Sequence, residues 1–206
     1  MTYKFLYRSI AKSLYLSLHH QPFYAEIERG VSDNPTRNQE AMLKYFDYSM
    51  REGQKHGELY FQQGQTYGAS VWSKPMNSTL AKQISQEKRD FISQHLGETS
   101  LKKYISIVEF MAEKARAAVP AESWYLSIVG IAPNWQGKGL GSTFVNPVLE
   151  MADALGVPCY LETFTRRNMN FYQRLGYIES ASFIESVTSK EYWIMLREPL
   201  QSKHFT

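Results

Sequence analysis

A glycine-rich segment in the second half of the chain has residue types suited to holding a phosphate. Glycines alternate in its sequence Gln-Gly-Lys-Gly-Leu-Gly-Ser, at Gly137, Gly139 and Gly141. The segment follows an apolar run and precedes a run with helical spacing, which predicts a tight turn at the start of a helix. The first amide N–H groups of a helix have no partner within it and lie at its positive end. The sequence therefore predicts a site for a phosphate-like anion.

Two common phosphate-binding loops do not fit this spacing. A P-loop needs Gly-Lys-Ser or Gly-Lys-Thr to begin five residues after its first glycine, but that position after Gly137 is Ser142, and the lysine comes earlier, at Lys138. A dinucleotide-binding loop needs G-x-G-x-x-G, whereas this loop is G-x-G-x-G and lies late in the chain. The pattern that remains is Q-x-x-G-x-G after an apolar run that ends near Ile131.

Other motifs accompany the loop in a definite order. LSIVGIAP precedes it, YLET follows the next helix, and N-x-x-x-Y-x-x-x-G-Y runs from Asn168 to Tyr177. Together these motifs resemble the acetyl-CoA motif of the GNAT superfamily of N-acetyltransferases. The runs LGSTFVNPVLEMADALGVPCYLET and GASVWSKP look like the puromycin acetyltransferase-like branch of that superfamily. The resemblance covers most of the chain after residue 40.

The resemblance implies that acetyl-CoA is the cosubstrate and that no metal is needed. In the superfamily the loop amides bind the pyrophosphate of CoA. Carried over position by position, the residues expected to bind acetyl-CoA are Val129, Gly130, Ile131, Gln136, Gly137, Lys138, Gly139, Leu140, Gly141, Ser142, Asn168 and Tyr172. A backbone N–H at Val129 or Gly130 is expected to stabilise the oxyanion of the transferred acetyl group.

Amide formation also requires a group that takes a proton from the amine. An alkyl ammonium has a pKa near 10, so a base or a water chain must remove its proton at neutral pH. Glu162 is the candidate base, because it lies in the strand expected beside the acetyl-CoA strand. Many GNAT enzymes carry a glutamate on the central strand itself, but residues 125–131 contain no acid. A purely structural role for Glu162 stays open as the alternative.

Tyr172 is the candidate acid that protonates the departing CoA thiolate. The superfamily uses a tyrosine in the helix that follows the second strand, and Tyr172 has the matching spacing from Asn168. The alternative is a tyrosine that only fills the core beside Phe171.

The pattern of strands and helices around these residues indicates an α/β (α+β) fold. We expect a single GNAT-like domain with a mixed sheet of about six to seven strands flanked by helices. The sheet is expected to splay between the central strand, 124–132, and the following strand, 158–164. Within one acetyltransferase domain, 1–206, the expected parts are an acceptor-site region (1–120), an acetyl-CoA-binding core (121–178) and C-terminal strands (179–206).

The first 120 residues predict helices and a hairpin that cover the acceptor site. Residues 19–38 contain two prolines and read as a loop or broken helix, which by resemblance offers Phe23, Tyr24, Glu26 and Glu28 as pocket candidates. A helix is predicted over 39–52, ended by Gly53 and Gly57, and a hairpin over 58–72. Residues 77–119 predict two helices divided by Gly97, with Ser78 or Thr79 as the first N-cap.

Composition excludes several other classes of protein. The chain has 206 residues, a formal net charge of +3 and no lysine or arginine block, which gives nucleic-acid binding no support. Its single cysteine, Cys159, offers neither an internal disulfide nor a metal cluster and is typical of a cytoplasmic protein. Charged residues interrupt the apolar N-terminus, so neither a signal peptide nor a membrane span is expected. A homodimer stays open.

Two hypotheses about function follow. The first is an acetyl-CoA-dependent N-acetyltransferase that transfers the acetyl group directly to a primary amine of a small molecule or peptide. The second is a non-catalytic CoA-binding or regulatory module, suggested by the missing acid on the central strand.

Overall fold

A mixed sheet lies at the centre of the computed structural model, which describes residues 3–200. In that range the helices are α1 (Arg8–Leu18), α2 (Pro22–Arg29), α3 (Pro35–His56), α4 (Ser78–Leu96), α5 (Glu98–Ala118), α6 (Gly141–Leu155) and α7 (Arg166–Arg174). The strands are β1 (Gly57–Tyr60), β2 (Gly68–Ser73), β3 (Trp124–Ile131), β4 (Cys159–Thr163), β5 (Ile178–Glu185) and β6 (Lys190–Arg197). These elements confirm the predicted α/β fold, in which helices flank a mixed sheet of six strands.

The sheet has the strand order β1-β2-β3-β4-β6-β5, and β3 and β4 are its parallel neighbours. Their ladder pairs only Trp124 to Leu126 with Cys159 to Leu161. Beyond Leu126, β3 continues to Ile131 along its antiparallel partner β2 without a register partner on β4. The two strands therefore separate where the sequence predicts a splay.

Helices cover both faces of this sheet. Successive residues of a strand point to opposite faces, and in β2 Val71 belongs to one core cluster and Trp72 to another. The Val71 cluster joins α1, α3 and α4, and the Trp72 cluster joins α6 and α7. A third cluster packs α5 against β6, with Ile107 and Ile194 fully buried. The splay between β3 and β4 thus opens between two helical layers.

Of the two structures predicted for residues 19–38, a loop or a broken helix, the chain has the broken helix, which is interrupted at residues 30–34. α2 occupies Pro22–Arg29, and α3 begins at Pro35, four residues before the predicted start. Each proline stands in the first turn of its helix, where no N–H is needed and the fixed φ angle favours the helix. The Asn34 side chain caps α3 by accepting a hydrogen bond from the Arg37 N–H at 3.0 Å. Both prolines are therefore helix starts.

Two other predicted helix boundaries also need correction. Gly53 does not end α3, which continues through it to His56. A Cβ at Gly53 would lie 2.6 Å from Val71 Cγ1, so this glycine lets α3 pack closely on β2. Asn77 rather than Ser78 or Thr79 caps α4, accepting a hydrogen bond from the Leu80 N–H at 2.9 Å.

A fully buried carboxylate, Asp47 of α3, holds the N-terminal segment in place. It accepts hydrogen bonds from the Tyr3 hydroxyl at 2.7 Å and from the backbone N–H groups of Leu6 and Tyr7 at 2.9 and 2.5 Å. Substitution Asp47→Ala removes all three acceptors, so we expect urea unfolding to show a loss of about 3 kcal/mol or more. Asp90→Ala on the exposed face of α4 is the control, and an equal loss in both variants would contradict this role.

Candidate active site

A cavity of about 430 Å³ opens at the splay, between the sheet and helices α3 to α5. Residues of β2, β3, β4 and α7 form its walls together with residues of these helices. The wall is strongly aromatic, and its tyrosines are Tyr24, Tyr45, Tyr104, Tyr125, Tyr160 and Tyr172. Such a cavity has the size and the apolar lining of a small-molecule site.

Glu162 projects from β4 into this cavity. Its Oε1 atom is buried and has no hydrogen-bond partner in the described part of the chain. Burial raises the pKa of the Glu162 carboxyl from 4.5 to about 7, and the adjacent Tyr125 phenol partly offsets this rise. Near neutrality a large fraction of a carboxyl group with this pKa is deprotonated and can accept a proton, and the protonated form can release it again.

Tyr125 and Tyr160 stand beside Glu162 as a stacked pair. They occupy matching positions on β3 and β4, with ring centroids 4.6 Å apart and planes at 19°. The stack lies on the paired part of the ladder and continues the cavity wall where the strands diverge.

α7 brings Asn168 and Tyr172 to the same cavity. Tyr172 is mostly buried, with edge contacts to the rings of Phe171 and Tyr177. Burial raises the pKa of the Tyr172 phenol to about 12. The hydroxyl therefore keeps its proton at neutral pH, which leaves it available as a donor.

The predicted acetyl-CoA positions on β3 occupy its splayed end. Val129 lines the cavity, whereas Gly130 and Ile131 lie beyond its wall. A Cβ at Gly130 would lie 3.0 Å from a methyl group of Leu14, so the glycine also serves the packing of α1. On the side of β3 that faces β4, backbone groups past Leu126 lack a strand partner in the described chain. This edge can bond a ligand in place of a strand.

The glycine loop lies outside the cavity, between a 3₁₀ turn at Pro133–Trp135 and the start of α6. Gly137 and Gly139 have φ angles of 75° and 74°, a region that favours glycine, and a Cβ on either would meet open space. The first turn of α6 carries neither a side-chain cap nor an acidic residue. The Thr143 N–H donates to the Leu140 carbonyl at 3.2 Å, and the N–H groups before it in this turn have no partner within the helix and can meet an anion.

The other loop positions contact the protein itself. The Gln136 side chain donates a hydrogen bond to the Ile131 carbonyl at 2.8 Å, which ties the loop to the end of β3. Lys138 is exposed, with Nζ 4.7 Å from the ring centroid of Trp135. A Cβ at Gly141 would lie 2.7 Å from the Phe171 ring, so this glycine is explained by packing of α6 on α7.

Two loop positions remain to be placed. Leu140 is half-buried and precedes α6 as its N-cap residue. The Ser142 hydroxyl turns back to the Gly139 carbonyl at 3.4 Å.

Two pocket candidates from the N-terminal region are wrong, and two line the cavity. Phe23 and Tyr24 contribute to the wall. Glu26 is instead paired with Lys103 at 2.9 Å and with Arg29. Glu28 accepts a hydrogen bond from the Tyr15 hydroxyl at 2.7 Å. Both acids therefore serve structural contacts outside the cavity.

Sequence reasoning missed a second group of ionisable residues on the wall, Glu52, His56 and Lys88. Glu52 and His56 share one face of α3 with Tyr45 and Ser49, which lie at helical spacing from them. The helical spacing could have shown that these side chains share one face, but polar residues at a helix end normally indicate a face exposed to solvent.

The described residues contain no cluster of three or more side chains suited to a metal ion. None of the described helices combines the length and apolar character that a membrane span requires.

Comparison with known proteins gives a family match over part of the chain. Residues 100–177 match the family model described as acetyltransferase (GNAT) family. A Schizosaccharomyces pombe protein named an uncharacterized N-acetyltransferase is 33% identical over 79 residues. That match covers 37% of this chain and 32% of the fission-yeast protein, so this chain matches about a third of that relative's length.

Solved structures match over nearly the whole chain. A Corynebacterium glutamicum protein described as a histone acetyltransferase and related acetyltransferase has a TM-score of 0.64 at 16% identity, covering 96% of this chain and 93% of its own. Arylalkylamine N-acetyltransferase 2 from Aedes aegypti has a TM-score of 0.60 at 13% identity, covering 94% of both chains. Polyamine N-acetyltransferase from Drosophila melanogaster scores 0.53 at 15% identity, covering 93% and 95%. Residues 100–177 therefore match the GNAT acetyltransferase family, and the chain as a whole has the fold of these solved structures.

Proposed function

We propose that this chain transfers the acetyl group of acetyl-CoA directly to the primary amine of a small molecule or peptide. The observation that carries the proposal is the carboxyl group of Glu162. It combines a buried oxygen free of hydrogen bonds from the described residues with a pKa near neutrality, in the same cavity as Tyr172. Such a group is suited to accept a proton from an amine.

The residues at the splay and at the start of α6 fit acetyl-CoA. The free edge of β3 at Val129 to Ile131 offers backbone hydrogen bonds to an extended ligand. Gly137 and Gly139 leave open space, and the uncapped first turn of α6 suits the pyrophosphate. When bound, acetyl-CoA supplies the activated thioester. Its position between β3 and the α6 loop is part of the proposal.

The side chains of the cavity then divide the proton transfers between them. Glu162 takes one proton from the ammonium form of the amine and passes it to solvent, and the neutral nitrogen then forms the new C–N bond as the C–S bond breaks. The second proton leaves the nitrogen for the regenerated Glu162 carboxylate after the attack. A backbone N–H at Val129 or Gly130 stabilises the negative charge that develops on the carbonyl oxygen. Tyr172 donates its phenolic proton to the departing sulfur and regains one through solvent. The products are the N-acetylated amine and CoA thiol.

A non-catalytic CoA-binding module is the competing function, because β3 itself carries no acid. Isothermal titration with acetyl-CoA, followed by thiol release over a panel of amines, separates the two. We expect binding and thiol release. Tight binding of acetyl-CoA with no thiol release from any amine would favour the module.

We also propose a relation to the puromycin acetyltransferase-like branch and a cytosolic location. The single cysteine, Cys159, supports the cytosolic location.

Substitution Tyr172→Phe is expected to lower kcat by about 10-fold or more, because it removes only the donated proton. The affinity for acetyl-CoA should stay within about 3-fold, since the ring and its packing are kept. Steady-state thiol release and titration with acetyl-CoA measure the two quantities.

Tyr177→Phe is the matched control for this substitution. Tyr177 is buried next to Tyr172, with ring centroids 6.1 Å apart, but does not line the cavity. Its hydroxyl has no hydrogen-bond partner within residues 3–200. If kcat is unchanged in both variants, Tyr172 is not the acid and only packs in the core.

A further inference from the structure

The end of the cavity formed by α3, α4 and α5 holds an ion pair that the proposed reaction does not use. Lys88 of α4 is buried, and its Nζ lies 3.6 Å from Glu52 Oε2 of α3. The ammonium donates a hydrogen bond to Ser49 Oγ at 2.7 Å. It also lies 4.8 Å from the ring centroids of Tyr45 and Tyr48. A carboxylate and tyrosine rings thus already surround one ammonium group here, as such groups do when they bind cationic ligands.

At this end of the cavity, the group that can still accept a hydrogen bond is the Glu52 carboxylate. Lys88 is enclosed by a hydroxyl, two rings and the nearby Glu52. Glu52 Oε2 is buried and makes no hydrogen bond in the described chain, because the Lys88 ammonium lies 3.6 Å away, within an ion pair but beyond hydrogen-bond distance. A buried acceptor without a donor is costly unless a ligand supplies one. The cavity at this end therefore favours a ligand that donates hydrogen bonds, and a cationic donor would share the Glu52 carboxylate with Lys88.

This end and Glu162 line one and the same cavity. Tyr45, Ser49, Glu52 and His56 all line it, so one face of α3 follows the cavity for about 16 Å at 1.5 Å per residue. Tyr24 lies between the two ends. Its ring centroid is 6.2 Å from that of Tyr45, and it lines the same wall as Tyr125 and Glu162.

We propose that Glu52 binds a second cationic group of the acceptor, so that the acceptor is an extended diamine with one amine at Glu162 and an ammonium at Glu52. This inference rests on the proposed acetyl transfer. The two carboxylates then have different tasks, because Glu162 must remove a proton and Glu52 must keep the distal ammonium charged. Aromatic side chains between them contact the apolar stem of the diamine.

Thiol release with matched acceptors tests the subsite. The acceptors are hexamethylenediamine, hexylamine, which lacks the distal ammonium, and aminocaproate, which replaces it with a carboxylate. We expect kcat/KM for the diamine to exceed that for hexylamine by about 10-fold or more, the usual order for a charge-assisted hydrogen bond. In Glu52→Gln this ratio should fall to within about 3-fold. The ratio cancels any general effect of the substitution on folding or catalysis.

The control is Glu40→Gln, the same change on α3 at an exposed position paired with Arg8 outside the cavity. It should keep the ratio. Should Glu52→Gln not fold, Lys88→Met gives a second measurement, because removal of the competing ammonium should raise the ratio. An unchanged ratio in Glu52→Gln, a lowered ratio in Lys88→Met, or aminocaproate as the best acceptor overturns the subsite. No thiol release with any of the amines overturns the proposed function instead.

Discussion

Substitution Glu162→Gln is expected to lower kcat by about 100-fold or more at pH 7, because the amide keeps the shape of the side chain but cannot accept a proton. The buried Oε1 of Glu162 makes no hydrogen bond within the described residues, and the hydrogen bond from the Tyr125 phenol to the carboxyl group can also be accepted by the amide oxygen. Steady-state thiol release with saturating acetyl-CoA measures the effect.

The pH dependence of this loss identifies its cause. Because the Glu162 pKa is raised to about 7, the basic form increases as pH rises through 7, and kcat/KM of the unmodified chain should rise with it. In Glu162→Gln the rise of kcat/KM around pH 7 should disappear, and the remaining pH dependence should follow the ionisation of the amine alone. The deficit should also shrink at high pH, where more of the amine is already neutral.

The stability of the same variant distinguishes a base from a structural carboxylate. The pKa of Glu162 rises from 4.5 to about 7 on folding, so the folded chain binds more protons than the unfolded chain between these values. Its stability therefore falls as pH rises through this window, and the folded state stays less favourable above pH 7. Glu162→Gln removes that penalty, so its melting temperature at pH 8 should equal or exceed that of the unmodified chain.

Glu185→Gln is the matched control, with the opposite signature. Glu185 is fully buried on β5 and accepts hydrogen bonds from the N–H groups of Val187 and Thr188 at 2.9 and 2.7 Å. Its amide variant loses one of these acceptors, so its melting temperature should fall while its pH profile is retained. The same combination in Glu162→Gln, a lower melting temperature with an unaltered profile, would make Glu162 structural.

The parts of the fold that were predicted correctly depend on local patterns. The order from β3 through the glycine loop to α6 and β4 follows from alternation, turn residues and helical spacing, each of which is set by neighbours in sequence. The splay after Leu126 came from the resemblance and is confirmed by the ladder of three pairs. Pro22 and Pro35 show how local reading fails, because a proline can end one element or begin the next.

The chemistry of the cavity depends on tertiary burial, which the sequence does not display. Glu162 was a candidate base because of its place on a strand, but its pKa is set by the residues that surround it in the fold. Glu52 and Lys88 lie 36 positions apart on different helices, and nothing in their local sequence indicates that they meet. The same limit explains Glu26 and Glu28, whose partners Lys103 and Tyr15 take them away from the cavity.

Substitution Gly139→Asp is expected to abolish measurable acetyl-CoA binding under conditions where the unmodified chain is saturated. Gly139 has a positive φ of 74°, and a side chain there would enter open space beside the first turn of α6. A carboxylate in that space would replace the attraction of the helix amides for pyrophosphate with repulsion between like charges. At about 4 Å each pair of like charges costs from about 1 kcal/mol at the dielectric of water to about 4 kcal/mol at that near a protein surface. Isothermal titration with acetyl-CoA measures the change.

Gly139→Asn separates charge from backbone strain, because asparagine has the shape of aspartate and tolerates a positive φ to a similar degree. We expect the aspartate variant to bind acetyl-CoA at least about 10-fold more weakly than the asparagine variant, a difference of about 1.4 kcal/mol. The difference should narrow as salt is raised, since the loop is exposed and its charges are screened within about 10 Å at 0.1 M salt. If the two variants fold and bind acetyl-CoA equally well, the pyrophosphate does not bind at this loop. The proposed position of acetyl-CoA would then be wrong.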